Sequence, residues 1–167
     1  LLLSYALPVV YAGVVYGLTW LLGWGAFTTE RVPEGQPWPV FVLSNATVLF
    51  LLGGLVPALG EEIGWRGLLV PQLARLTSFT KTALISGAIW AVWHTPMILF
   101  AGYHSDTPRW YGLLCFTVLA MGMSFAFAWL RLRSGSLWTA VILHAAHNVF
   151  VQTIFDPLTR DTGFTTY

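Results

Sequence analysis

Charge is scarce in this chain. Of 167 residues only 8 are lysine or arginine and 7 are aspartate or glutamate, 9% in all, where soluble proteins carry about 25%. That deficit excludes an ordinary water-soluble surface, and a net charge of +1 excludes the basic footprint on which nucleic-acid binding depends. Cysteine is nearly missing too. With Cys115 alone, no disulfide framework and no CxxC metal pair can form within the chain. No basic stretch precedes the first apolar run and no clear small-residue cleavage site follows it, which argues against a secretory signal. Strand-period alternation is also missing, which argues against a β-barrel.

What is abundant is apolar surface: 56% of the residues are hydrophobic and the mean hydropathy is +0.69. Apolar runs extend roughly from Leu3 to Phe27, Trp38 to Leu76, Thr82 to Tyr103, Trp110 to Leu132 and Leu137 to Phe155. Because a bilayer core about 30 Å thick needs roughly 20 apolar residues per helix, the chain is expected to be all-α, a polytopic transmembrane bundle of about five or six helices. Residues 1–167 would make one membrane-embedded domain with no room for a soluble one. The start at Leu1, already inside an apolar run, suggests a piece of a longer protein. The run from Trp38 to Leu76 would measure about 60 Å as one straight helix, so a bend or break is expected at Gly53-Gly54-Leu55-Val56-Pro57. The remaining glycines and prolines are compatible with membrane helices.

If that long run crosses once, Arg75, Lys81, Arg131 and Arg133 fall on one side with no acidic residue. By the positive-inside rule that side is cytoplasmic. The other side takes Arg31, Arg109 and Arg160 with Glu30, Glu34, Asp106, Asp156 and Asp161. Trp38, Tyr103 and Trp110 suit an interfacial aromatic belt, and His104 falls in the outer loop beside Ser105 and Asp106.

Inside the spans remain Glu61, Glu62, Arg66, His94, His144, His147 and Asn148. Ionisable residues at membrane depth are costly and ordinarily face a cavity with a function. At ~1.5 Å per residue, Glu61 lies ~20 Å from Arg75, His94 ~20 Å from Lys81 and His144 ~16 Å from Arg133, all measured from the same side. Similar depth on three spans is what one shared site requires. Glu62 and Arg66, and His144 and Asn148, are four apart and share a helix face; Glu61 points about 100° away from Glu62. His147 lies within reach of the His144 face, and its part is open. Cys115 lies in apolar surroundings unsuited to a nucleophile, and Ser134-Gly135-Ser136 reads as a turn.

The order Glu61-Glu62-Ile63-Gly64-Trp65-Arg66, then Trp90-Ala91-Val92-Trp93-His94, then His144-Ala145-Ala146-His147-Asn148 resembles the CPBP family, which includes CAAX prenyl endopeptidases and abortive-infection proteins. Its signatures are EExxxR, FxxxH and HxxxN on successive helices, and here they span a core of about 57–150. Trp90 stands where the family often has phenylalanine. The resemblance implies a CAAX-protease-like hydrolase in which Glu61 and His94 activate a water, His144 and Asn148 hold the carbonyl oxygen, and Arg66 fixes Glu62. Such chemistry is sound: a buried carboxylate can serve as general base, and amide and imidazole N–H groups can stabilise an oxyanion.

The resemblance favours a mechanism with no metal cofactor, although the family's common label is metalloprotease. One carboxylate with histidines also matches a zinc set, in which Glu61, His94 and His144, with His147 as a further candidate, would be the ligands; no HExxH pair is present. The implied partners are the lipid bilayer and a membrane peptide or protein substrate, lipidated or not, and no nucleic acid. The expected setting is the cell membrane, with the site open to the cytoplasmic half. The rival readings are a proton-coupled transporter, which paired repeats would favour, and a non-catalytic immunity protein.

Overall fold

Proline and glycine punctuate the helices. Pro37 precedes the second helix, the Ser78 side chain accepts from the Lys81 amide at the start of the third, and Gly135, at φ 69°, ends the fourth. The computed structural model describes residues 1–102 and 108–163. Tyr103, His104, Ser105 and Asp106, assigned above to the outer interface and loop, lie outside the described residues. In chain order the elements are α1 (Leu2–Leu21), β1 (Gly25–Phe27), α2 (Trp38–Leu76), α3 (Phe79–Phe100), α4 (Arg109–Ser134), α5 (Trp138–Asn148), which continues as the π-helical turn Val149–Phe155, and β2 (Thr159–Asp161).

The chain is a helical, polytopic protein as expected, with three refinements. Four of the described helices, α1 to α4, are long and apolar enough to cross a membrane, against the five or six expected. The stretch after Leu137 carries His144, His147, Asn148 and Gln152, which lower its hydropathy. Second, α2 does not break. It stays helical for 39 residues by passing through π-helical turns at Asn45–Gly54 and Ile63–Leu69. In the first of these Leu55 N–H bonds Phe50 C=O five residues back, and this widened turn just ahead of Pro57 lets the chain remain helical through the proline. Third, β1 and β2 form a small antiparallel ribbon, with Ala26 opposite Arg160.

The chain divides into two compact units. The first joins residues 1–60 to the segment that begins at Val141. There α1 packs on the π-helical parts of α2 and α5: Tyr5 meets Phe50 and Phe150 edge-on at 4.9 and 5.4 Å and donates to Ala46 C=O at 2.6 Å. Gly54 permits the approach of α5. A methyl there would sit 3.3 Å from Val149 Cγ2 and 3.4 Å from Ala145 Cβ.

The second unit runs from Glu61 to Ala140. Its core is α3 against α4, where a Cβ on Gly87 would fall 2.9 Å from Ser124 Oγ and 3.1 Å from Met121 Cα. Small residues let the two backbones close up, as membrane helices require in the absence of a hydrophobic drive. Buried Val70 joins α2 to Ala83 and Ala128, with Phe125 packed against them.

Candidate active site

Glu61 and Glu62 end the α-helical portion Leu55–Glu62 of α2, and Arg66 lies in the π-helical turn that follows. The pairing expected from the four-residue spacing is present: Arg66 Nη1 donates to Glu62 Oε1 at 2.8 Å. Both side chains are buried, at 1% and 0% exposure. A buried pair needs further polar or aromatic support to offset desolvation. Arg66 finds it in two ring faces, with Cζ 3.8 Å from the Phe127 centroid and 4.7 Å from that of Trp90, close enough for cation–π attraction.

Glu61 takes a different partner. Half-buried, it accepts a hydrogen bond through Oε2 from the indole Nε1 of Trp90 at 3.3 Å. His94, one turn beyond Trp90 on α3, is buried at 8% exposure. Its ring is walled by Trp93 and Phe116, at centroid distances of 4.8 and 4.6 Å. Nδ1 lies 3.0 Å from Trp90 C=O. A carbonyl only accepts, so Nδ1 donates, and the Nε2 of the neutral ring is left with the lone pair. A histidine so held can accept a proton or orient a water.

In the first unit, His144 and His147 are buried on α5, at 4% and 8% exposure, and Asn148 follows them half-buried. His147 Nδ1 is hydrogen-bonded to Tyr11 OH of α1, which ties this histidine into helix packing. Gln152 Nε2 donates to Asn148 Oδ1 at 3.4 Å, so the amide NH₂ is the end of Asn148 left to donate.

The structure thus connects Glu61, Glu62, Arg66 and His94 through Trp90 within one unit, while His144, His147 and Asn148 share one helix in the other. The alternative zinc set draws on both units. Within neither unit do three His, Cys, Asp or Glu residues gather as a metal requires, among the described residues. Sequence reasoning overlooked the donor that Trp90 supplies, Tyr11 and Gln152. The replacement of phenylalanine signalled the first and the four-residue spacing to Asn148 the last; Tyr11 had no signal. Arg131, grouped above with the basic loops, instead stands in the last turn of α4 with its Nε 2.8 Å from Arg66 C=O.

Residues 43–150 match a family model described as type II CAAX prenyl endopeptidase Rce1-like, a stretch that holds all three motifs. The chain is also 30% identical, over 97% of its length, to a protein from Methanococcus maripaludis named CAAX prenyl protease 2. It covers 54% of that protein, so it spans about half the length of the curated relative it matches. No solved structure matches.

Proposed function

The chain belongs to the Rce1-like family of type II CAAX prenyl endopeptidases, and on that premise we propose that it is the catalytic part of a membrane endopeptidase acting by a glutamate-activated water. Glu61 takes a proton from water as the oxygen bonds to the carbonyl carbon of the scissile amide. His94, through Nε2, orients that water. The tetrahedral oxyanion accepts from the Asn148 amide and from an imidazole N–H of His144, donors of the kind that contribute most to acyl-transfer catalysis. When the C–N bond breaks, the proton held by Glu61 passes to the leaving amine, giving a free amine and a carboxylic acid that then loses its proton to solvent. Glu62 and Arg66 hold the α2 turn that presents Glu61.

The observation that carries this reading is the bond from His94 Nδ1 to Trp90 C=O at 3.0 Å, beside the bond from Trp90 Nε1 to Glu61. Together they set a base and a water-orienting lone pair on one framework. The substrate is a membrane-associated peptide or protein, with a prenylated cysteine peptide as the first to try, since the Methanococcus maripaludis relative is named a prenyl protease. The site opens to the cytoplasmic half of the cell membrane.

The test is cleavage of tagged membrane peptides, prenylated and not, by purified full-length protein. Glu61→Gln and His94→Ala are expected to lower kcat by about 100-fold or more. Undiminished turnover in either variant would remove that residue from the mechanism.

A further inference from the structure

Trp90 contacts Glu61, His94 and Arg66 of the second unit's cluster. Its indole N–H reaches Glu61 Oε2 at 3.3 Å, its carbonyl receives His94 Nδ1 at 3.0 Å, and its ring lies 4.7 Å from the Arg66 guanidinium carbon. The ring plane is fixed in turn, because Phe127 and His94 meet it edge-on, both at 5.6 Å, and Trp90 is 6% exposed. A carboxylate on its own turns almost freely about its last torsion, a broad two-fold sp³–sp² rotor. One fixed donor removes that freedom. It selects Oε2 as the acceptor and leaves Oε1 to receive a proton from water. An indole suits the task because it only donates: it cannot compete for the water proton as a hydroxyl or amide oxygen would.

We propose that Trp90 is a positioning residue of the active site, whose indole N–H selects the oxygen of Glu61 that acts as base and whose ring carries the hold of the Glu62–Arg66 pair to Glu61. This rests on the reading of Glu61 as the base. Phenylalanine at this position would keep a ring face and lose the donor.

The experiment uses full-length protein with the Trp90 indole replaced by benzothiophene, which exchanges N–H for sulfur at nearly equal size, alongside Trp90→Phe, Glu61→Gln and the combination of Glu61→Gln with the benzothiophene replacement. Loss of a hydrogen bond to a charged group predicts a fall in kcat of about 10-fold or more, with KM and the melting temperature held. The combined variant should be no slower than Glu61→Gln alone, since a donor has nothing to position once the base is gone. Trp90→Phe should lose at least as much kcat as the benzothiophene protein. Full kcat in the benzothiophene protein while Glu61→Gln is inactive overturns the role of Trp90 and leaves the base in place. Activity retained by Glu61→Gln removes the base assignment and this proposal with it. A further drop in the combined variant would mark Trp90 as a packing residue.

Discussion

Arg131 Nε donates to the main-chain oxygen of Arg66 at 2.8 Å, a bond whose cause lies in a proline. In the π-helical turn of α2, Val70 N–H bonds Trp65 C=O five residues back. The next donor in that register would be residue 71, and Pro71 has no N–H. A buried carbonyl without a partner is costly, and Arg131 reaches across from α4 to supply one. Replacing Arg131 with methionine should destabilise the protein by about 1 to 2 kcal/mol. In a Pro71→Ala background, where a backbone donor is restored, the loss should shrink. Equal losses in both backgrounds, read from thermal melts in detergent, would separate Arg131 from the proline.

The contact of Gly87 with α4 is tight against backbone as well as side chain, since Met121 Cα lies 3.1 Å from where a Cβ would stand. Gly87→Ala should therefore cost about 1 to 3 kcal/mol by overpacking, despite alanine's better helix propensity. Gly122, whose added Cβ meets nothing within 4 Å, is the matched control, and Gly122→Ala should leave stability unchanged or raise it. A more stable Gly87→Ala protein would contradict the close packing of α3 on α4.

His147 offers a way to separate the two mechanisms. If it serves packing through Tyr11, His147→Gln and Tyr11→Phe should lower the melting temperature and leave most of kcat, whereas His144→Ala should lower kcat by about 100-fold. A zinc site would behave otherwise. There, chelator treatment would abolish turnover, stoichiometric zinc would restore it, and loss of His147 as a ligand would weaken metal affinity. The expected result is turnover that survives chelation; zinc-dependent recovery would replace the glutamate mechanism and keep the protease.

Orientation is tested by labelling. Single cysteines near Arg75 and Arg133, in a Cys115→Ala background, should resist an impermeant thiol reagent on intact cells, while one near Glu34 should react. Reaction at both basic positions from outside would invert the topology and place the site in the other half of the bilayer.

The hydrophobic runs were legible as helices because runs near 20 residues or longer leave few alternatives to the membrane, and the Glu62–Arg66 pair was legible because four-residue spacing fixes a shared face. The candidate residues stood out because charge and imidazole within apolar runs are costly to place in a membrane. The turn at Ser134-Gly135-Ser136 followed from glycine's freedom at positive φ, which Gly135 uses. What composition and spacing could not supply were relations between distant segments and departures from the α register. Of the bend or break expected near Pro57, the break is absent and a π-helical passage stands in its place, since hydrogen bonds can shift to five-residue spacing without leaving the helix. His147 turned to Tyr11, 136 residues away, and Arg131 left the loop charges for Arg66. By itself the sequence determined which residues had to be explained, through the cost of placing them in lipid; which neighbour each one meets was decided by tertiary packing, because hydrogen-bond partners so far apart in the chain are chosen by how helices cross rather than by any local preference.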